Sequence, residues 1–182
     1  MLKKLLVIFF LISINSVSAE NKKNILINLK KTKNLMFNFE QNINENIEIG
    51  NCTIKYPKKI NCKYENNNNK ILVSNGKSIV IKTITSYYIY PLDKTPLNII
   101  LDKNLISKKI NETKEVSSNS SYIEFKIKEN DTEVKIFFDK LTFNLIGWQT
   151  KDIYKNISST YLSSIKINQT IDDKLFKLPL QN

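Results

Sequence analysis

Along most of this chain apolar and polar residues alternate with period two, the pattern of strands that bury one face. Leu35, Phe37, Phe39, Gln41 and Ile43 alternate, so a strand begins near residue 35 and turns at Asn44-Glu45-Asn46 into Ile47-Glu48-Ile49. Residues 50–64, GNCTIKYPKKINCKY, read as a hairpin. With Pro57-Lys58-Lys59 as its turn, Tyr56 faces Ile60, Ile54 faces Cys62 and Cys52 faces Tyr64. The even-numbered residues then share one face, and Lys55 and Lys63 share the other. Lys70–Ser74 and Ser78–Lys82 flank Asn75-Gly76, a short-hairpin signal, and Tyr87–Tyr90 stops at Pro91. Further strands are expected over Tyr122–Lys128, Glu133–Phe138, Leu145–Lys151 and Ser159–Ile167.

Helical spacing intrudes in a few places. Ile25, Leu29 and Thr32 predict a helix over Asn24–Asn34. Thr95-Pro96 supplies a cap and a first-turn proline for a helix whose apolar face is Leu97, Ile100 and Leu101. Lys103–Ser120 is polar and fits a helix end plus a loop, and Asp172–Phe176 a short terminal turn of helix. About nine to eleven antiparallel strands with covering helices result, a mainly antiparallel β architecture. Its interior is either packed or hollow; in the hollow case Phe37, Phe39, Ile54, Tyr56, Leu72 and Tyr90 are the lining candidates, joined by Leu97 and Leu101 from the helix.

The amino terminus breaks the alternation. Lys3 and Lys4 precede the apolar run Leu5–Ile12, and Val17-Ser18-Ala19 offers small residues for cleavage before Glu20. Residues 1–19 therefore read as a cleaved signal peptide, leaving residues 20–182 as one domain. Removing Lys3 and Lys4 lowers the formal charge from +11 to +9, which favours anionic partners. All the basic residues are lysines, and without arginine the bidentate reading of phosphates and bases is missing. Together with export, that excludes a nucleic-acid role. The lysine-rich stretches 58–63 and 108–114 are solvated faces, with docking against a negatively charged membrane complex as the further option.

Chemistry is sparse. The chain has no histidine, which removes the usual general base at neutral pH and the usual nitrogen ligand for metals. Cys52 and Cys62 are too few for a thiolate zinc site. In the hairpin register above they are diagonal neighbours, a little too far apart for easy bridging, whereas a slipped turn brings them together; the oxidising compartment favours pairing. Asp172-Asp173, Glu124, Glu133, Asp139 and Asp152 are the carboxylates available for acid–base work, but their spacing gathers no pair, and Asp172-Asp173 reads as a helix cap. The three glycines, Gly50, Gly76 and Gly147, are isolated and form no phosphate loop. No enzyme activity, cofactor or metal is expected.

Six short segments, in order, resemble the LolA family of periplasmic lipoprotein carriers. Phe39-Glu40-Gln41 is similar to its F-x-Q, Gly50–Tyr64 to its G-x-x-x-x-x-R-P…Y hairpin, and Val73–Lys77 to its aspartate–glycine turn. Tyr90–Leu101 resembles its P-L-x-x-T/S-P-x-x-x-L segment, Leu145–Asp152 its L-x-x-W-x-x-x-D, and Asp173–Phe176 its closing L-F. The resemblance implies a strongly curved, open half-barrel sheet enclosing a hydrophobic cavity beneath helices around residues 24–34 and 95–103. It implies as cargo the acyl chains of lipoproteins, as donor an inner-membrane ABC-type release complex, as acceptor an outer-membrane receptor or the membrane itself, and a monomeric carrier. Where the family has an arginine implicated in holding the lid and in release, this chain has Tyr56, so Tyr56, Lys58 and Lys59 form the candidate lid region. Asn61 and Cys62 depart from the family's aromatic or arginine positions. A related periplasmic sensor or scaffold that carries no lipid is the alternative.

Overall fold

The computed structural model describes residues 19–65, 68–113, 116–129, 132–151 and 156–181. The expected leader lies, apart from residue 19, outside the described residues, as does Asp152. Helix α1 covers residues 19–31. The strands are β1 (Asn34–Ile43), β2 (Asn46–Lys55), β3 (Lys59–Tyr64), β4 (Ile71–Asn75), β5 (Ser78–Lys82), β6 (Tyr87–Pro91), β7 (Val116–Ser118), β8 (Tyr122–Glu129), β9 (Thr132–Asp139), β10 (Leu145–Lys151) and β11 (Ile157–Ile167). Between β6 and β7 lie a 3-10 turn at Leu92–Lys94 and two helices, α2 (Leu97–Ile100) and α3 (Lys103–Glu112).

All eleven strands join one antiparallel sheet in the order β6-β5-β4-β3-β2-β1-β11-β10-β9-β8-β7. This corrects the expectation of a strongly curved half-barrel around a cavity. The sheet is open and neither strongly curled nor closed: its edges β6 and β7 stand at opposite ends of the order and do not pair. Alternation decides which face each side chain takes; tight curling needs repeated bulges or glycine kinks. The described pairings of β1, β10 and their neighbours carry register shifts at Met36/Asn38 and at Leu145/Gly147.

Local chemistry explains where elements start and stop. Helix α1 ends earlier than the expected Asn34. Thr32 returns its hydroxyl to the Asn28 carbonyl at 2.8 Å, and the Lys33 amide donates to Asn168 Oδ1 at 2.7 Å, so Asn34 already belongs to β1. Between β1 and β2, Asn44 and Glu45 both take positive φ, 48° and 71°, the backbone of a two-residue hairpin turn. The β2–β3 turn is Tyr56-Pro57-Lys58, one residue earlier than expected, with Lys58 at φ 66° and Lys59 already opposite Lys55. That shift pairs Ile54 with Ile60, Cys52 with Cys62 and Gly50 with Tyr64, so the two cysteines face each other and form a disulfide. Helix α3, expected only as a helix end, is capped by Asp102, whose carboxylate accepts from the Asn104 and Leu105 amides, each at 3.1 Å.

One face of the sheet carries the core. Ile123 and Phe125 of β8, Ile136 and Phe138 of β9, Trp148 of β10, Phe37 and Phe39 of β1, Ile54 of β2 and Ile60 of β3 lie on it, all buried. Ile25 and Leu29 of α1, Ile99, Ile100 and Leu101 at α2, and Ile106 and Ile110 of α3 cover this face and join the same cluster. Each such buried branched side chain contributes roughly 1.5–3 kcal/mol, so the helices are held chiefly by apolar burial. The opposite face is strapped by the carboxy-terminal segment. Asn34 exchanges side-chain hydrogen bonds with the Gln169 backbone, Asn61 Nδ2 donates to the Leu175 carbonyl, and Tyr87 donates to the Pro179 carbonyl. Phe176, in a 3-10 turn capped by Asp172, is buried there.

Candidate functional site

The candidate site lies between the apolar face of the sheet and α2. A small cavity of about 40 Å³ remains there, lined by Phe39, Gln41, Cys52, Ile60, Cys62, Tyr64, Leu72, Leu97, Trp148 and Thr160. A single water needs about 10–15 Å³ of such space, so this cavity as it stands admits a few waters and no acyl chain. The walls are apolar apart from one end. There Gln41 Oε1 accepts from the Tyr64 hydroxyl at 3.2 Å, and Gln41 Nε2 donates to Ser158 and Thr160 hydroxyls at 3.1 and 3.2 Å. Burial and the neighbouring Glu48 push the Tyr64 hydroxyl's pKa up, so it stays a neutral donor. Phe39 crosses Gly50 to meet Tyr64 edge-on, ring centroids 4.9 Å apart. A Cβ at Gly50 would lie 2.1 Å from the Lys63 carbonyl oxygen and 2.9 Å from the Phe39 ring, so only glycine permits that approach.

The expected lining residues separate into groups. Phe39, Leu72 and Leu97 line the cavity. Phe37 and Ile54 belong to the packed core around it, Phe37 meeting Trp148 edge-on at 6.2 Å. Leu101 is fully buried at the α2–α3 junction. Tyr90 is brought to none of these: it sits on the edge strand β6, 45 % exposed. Trp148, Thr160 and Tyr64 line the cavity without having been expected there; the signal available was their shared parity with Phe39 across β10, β11 and β3.

The lid region is built on the β2–β3 turn. The Tyr56 amide donates to the Lys33 carbonyl at 3.0 Å, tying the turn to the end of α1, and the Lys58 amide donates to the Leu101 carbonyl at 2.7 Å, tying it to the end of α2. The Lys58 ammonium lies 3.6 Å from Asp102, the cap of α3, and Lys103 reaches the Lys30 and Thr32 carbonyls at 3.2 and 2.8 Å. Tyr56 lies in the middle of this junction, with Lys103 Nζ 5.9 Å from its ring. Its hydroxyl is buried without a hydrogen-bond partner among the described residues, and burial raises its pKa. Lys59 belongs elsewhere: it pairs with Asp173 at 3.3 Å and lies over the Phe176 ring on the strapped face.

A second, shallower groove of about 530 Å³ crosses β2, β1 and β11 at Ile49, Glu40, Tyr161 and Glu65. It is open to solvent and edged by carboxylates. Beside it Phe137 and Tyr161 stack across Gly147, 6.2 Å apart and nearly parallel. Among the described residues no three potential ligands gather as a metal site.

Residues 30–179 match the family described as "Outer membrane lipoprotein carrier protein LolA", and the chain belongs to that family. No curated protein matches it. Among solved structures, an uncharacterized conserved protein from Thermus thermophilus is 7 % identical, with 92 % of this chain and 94 % of that chain covered and a TM-score of 0.52. A LolA superfamily protein from Nitrosomonas europaea is also 7 % identical, covering 81 % and 90 % at a TM-score of 0.45. A putative outer membrane lipoprotein-sorting protein domain from Vibrio parahaemolyticus is 6 % identical, covering 89 % and 95 % at 0.48. Family membership gives a periplasmic protein that binds lipid or protein and is not an enzyme.

Proposed function

From membership of this chain in the lipoprotein carrier family, we propose that it binds the acyl chains of lipoproteins and shuttles them across the periplasm from inner to outer membrane. In this reading residues 20–182 are the mature single-domain carrier, released after the leader 1–19 is cleaved. The inner-membrane ABC-type complex supplies the cargo, and an outer-membrane receptor or the membrane itself accepts it. The observation that carries the reading is an apolar sheet face covered by short helices that are fastened to it at the β2–β3 turn.

The 40 Å³ cavity beneath α2 is too small for an acyl chain, so loading proceeds by displacing α2 and α3. The displaced helices uncover Ile99, Ile100, Leu101, Ile106 and Ile110 together with the sheet residues beneath them, and the acyl chain replaces one apolar surface with another. Burial of each methylene contributes about 0.8 kcal/mol, enough for a chain of ordinary length to offset the loss of helix packing. Opening must break the Lys58–Leu101 hydrogen bond and the Lys58–Asp102 ion pair. Lys58, with Tyr56 beside it, thus takes the holding role that an arginine has in the family. At the polar end Gln41 Oε1 keeps a second lone pair for an amide N–H, and Thr160, which accepts from Gln41 Nε2, keeps a hydroxyl hydrogen for an ester carbonyl.

The small size of this cavity also favours the second reading, a periplasmic scaffold or sensor that never opens. Purification after co-expression with a lipoprotein and the release complex separates the two by native mass spectrometry. Carriage gives a stoichiometric complex with the acylated protein; persistent absence of that complex, with folded carrier present, supports the scaffold.

A further inference from the structure

Helix α1 buries Ile25 and Leu29, and its opposite side faces solvent. Spacings of three and four residues place Lys23, Ile27, Lys30 and Lys31 on that outward stripe, and all four are exposed, Ile27 at 41 %. None of the three ammonium groups forms an ion pair among the described residues; Glu20 is the stripe's one carboxylate. Beside the stripe stands the turn between β9 and β10, fastened to α1 by Asn28 Nδ2, which donates to the Thr142 carbonyl at 2.6 Å and to Asn144 Oδ1 at 3.3 Å. At its tip Leu141 is 88 % exposed. The tip is held firmly, since Asp139 Oδ1 accepts from the Leu141 amide at 3.1 Å and from the Thr142 amide and hydroxyl at 2.6 and 2.8 Å.

Two apolar side chains project here from rigid backbone, flanked by uncompensated lysines. An acidic protein would be met by the charge alone and gives no reason to expose Leu141 so fully; a bilayer surface accommodates both features, with headgroup phosphates outside and acyl chains just beneath. We propose that the outward face of α1 and the Leu141 turn form a docking surface for an anionic bilayer. Ile27 and Leu141 enter between headgroups while Lys23, Lys30 and Lys31 lie against the phosphates. This surface is separate from the acyl site and holds the carrier at the membrane where cargo changes hands.

Vesicle flotation tests it, with phosphatidylethanolamine–phosphatidylglycerol (7:3) against pure phosphatidylcholine at 50 and 500 mM salt. The wild-type protein floats with the anionic vesicles at low salt and is released at high salt. Each lysine changed to glutamine weakens partitioning about fivefold, so K23Q/K30Q/K31Q loses on the order of a hundredfold. Leu141→Ser weakens it while leaving the salt dependence intact. All these positions are exposed, so circular dichroism of the variants matches wild type, and uptake of a fluorescent acyl probe in solution is unchanged by the triple substitution. That last readout distinguishes loss of docking from loss of carriage. Equal flotation with both lipid mixtures, or wild-type flotation by the triple variant, overturns the proposal. So does capture by a soluble acidic polypeptide such as polyglutamate with no vesicle binding, which makes the stripe a protein-docking face.

Discussion

Replacing Tyr56 by phenylalanine tests the lid directly. The Tyr56 hydroxyl is buried in the closed protein without a hydrogen-bond partner among the described residues. Such a group loses its water without recompense, which costs about 1–3 kcal/mol. Opening α2 and α3 returns the hydroxyl to water, so the closed state alone bears that cost. Tyr56→Phe removes the hydroxyl and keeps the ring, including its place beneath Lys103. The variant is therefore more stable by about 1–3 kcal/mol, a rise in Tm of roughly 2–4 °C per kcal/mol for a chain this size. The same free energy deepens the closed state, and because 1.4 kcal/mol is tenfold, the open population falls about 5-fold to 150-fold. Thermal unfolding gives the first number and the initial rate of acyl-probe uptake the second. A Tm equal to or below wild type refutes the reasoning, because it means the hydroxyl is satisfied when closed. A raised Tm with unchanged uptake separates Tyr56 from the lid.

Other outcomes follow from the same structure. Replacing Cys52 and Cys62 by serine opens a cross-link of sequence separation 10 and costs about 2–3 kcal/mol by loop entropy, read as a lower urea midpoint. Gly147→Ala places a Cβ 2.6 Å from the Thr160 carbonyl oxygen and 3.3 Å from the Phe137 ring, destabilising by about 1–3 kcal/mol in the same assay. Hydrogen bonds from Lys55 and then Lys59 hold the Asp173 carboxyl below its ordinary pKa. Its contribution is complete above the ordinary carboxylate value and is lost as pH falls through the lower folded value. Limited proteolysis therefore finds the carboxy-terminal strap more susceptible below about pH 4, and Asp173→Asn shows that susceptibility already at pH 7.

The strands were legible because alternation reports burial directly. Phe37, Phe39, Ile54 and Ile60 all take the face that their parity requires. Register was less so. One residue of turn position decides whether Cys52 meets Tyr64 or Cys62, and the choice rests on Lys58 adopting a left-handed backbone, which no side-chain pattern announces. Helix α3 was hidden because lysines and asparagines dilute its apolar stripe, leaving Ile106 and Ile110 one turn apart behind the Asp102 cap. Curvature was illegible for a deeper reason: alternation is the same on a flat sheet and on a curled one. Likewise Tyr90 shares its parity with buried Ile79 across the pairing, yet lies exposed on the edge strand β6.

Photo-crosslinking with a diacylated peptide carrying a diazirine near the chain terminus tests the central claim most directly. Loading between the sheet and a displaced α2 predicts adducts on Phe39, Leu72, Leu97 and Trp148, accompanied by faster hydrogen exchange of the α2–α3 amides. Adducts confined to the outer groove at Ile49 and Tyr161, with α2–α3 exchange unaltered, contradict it.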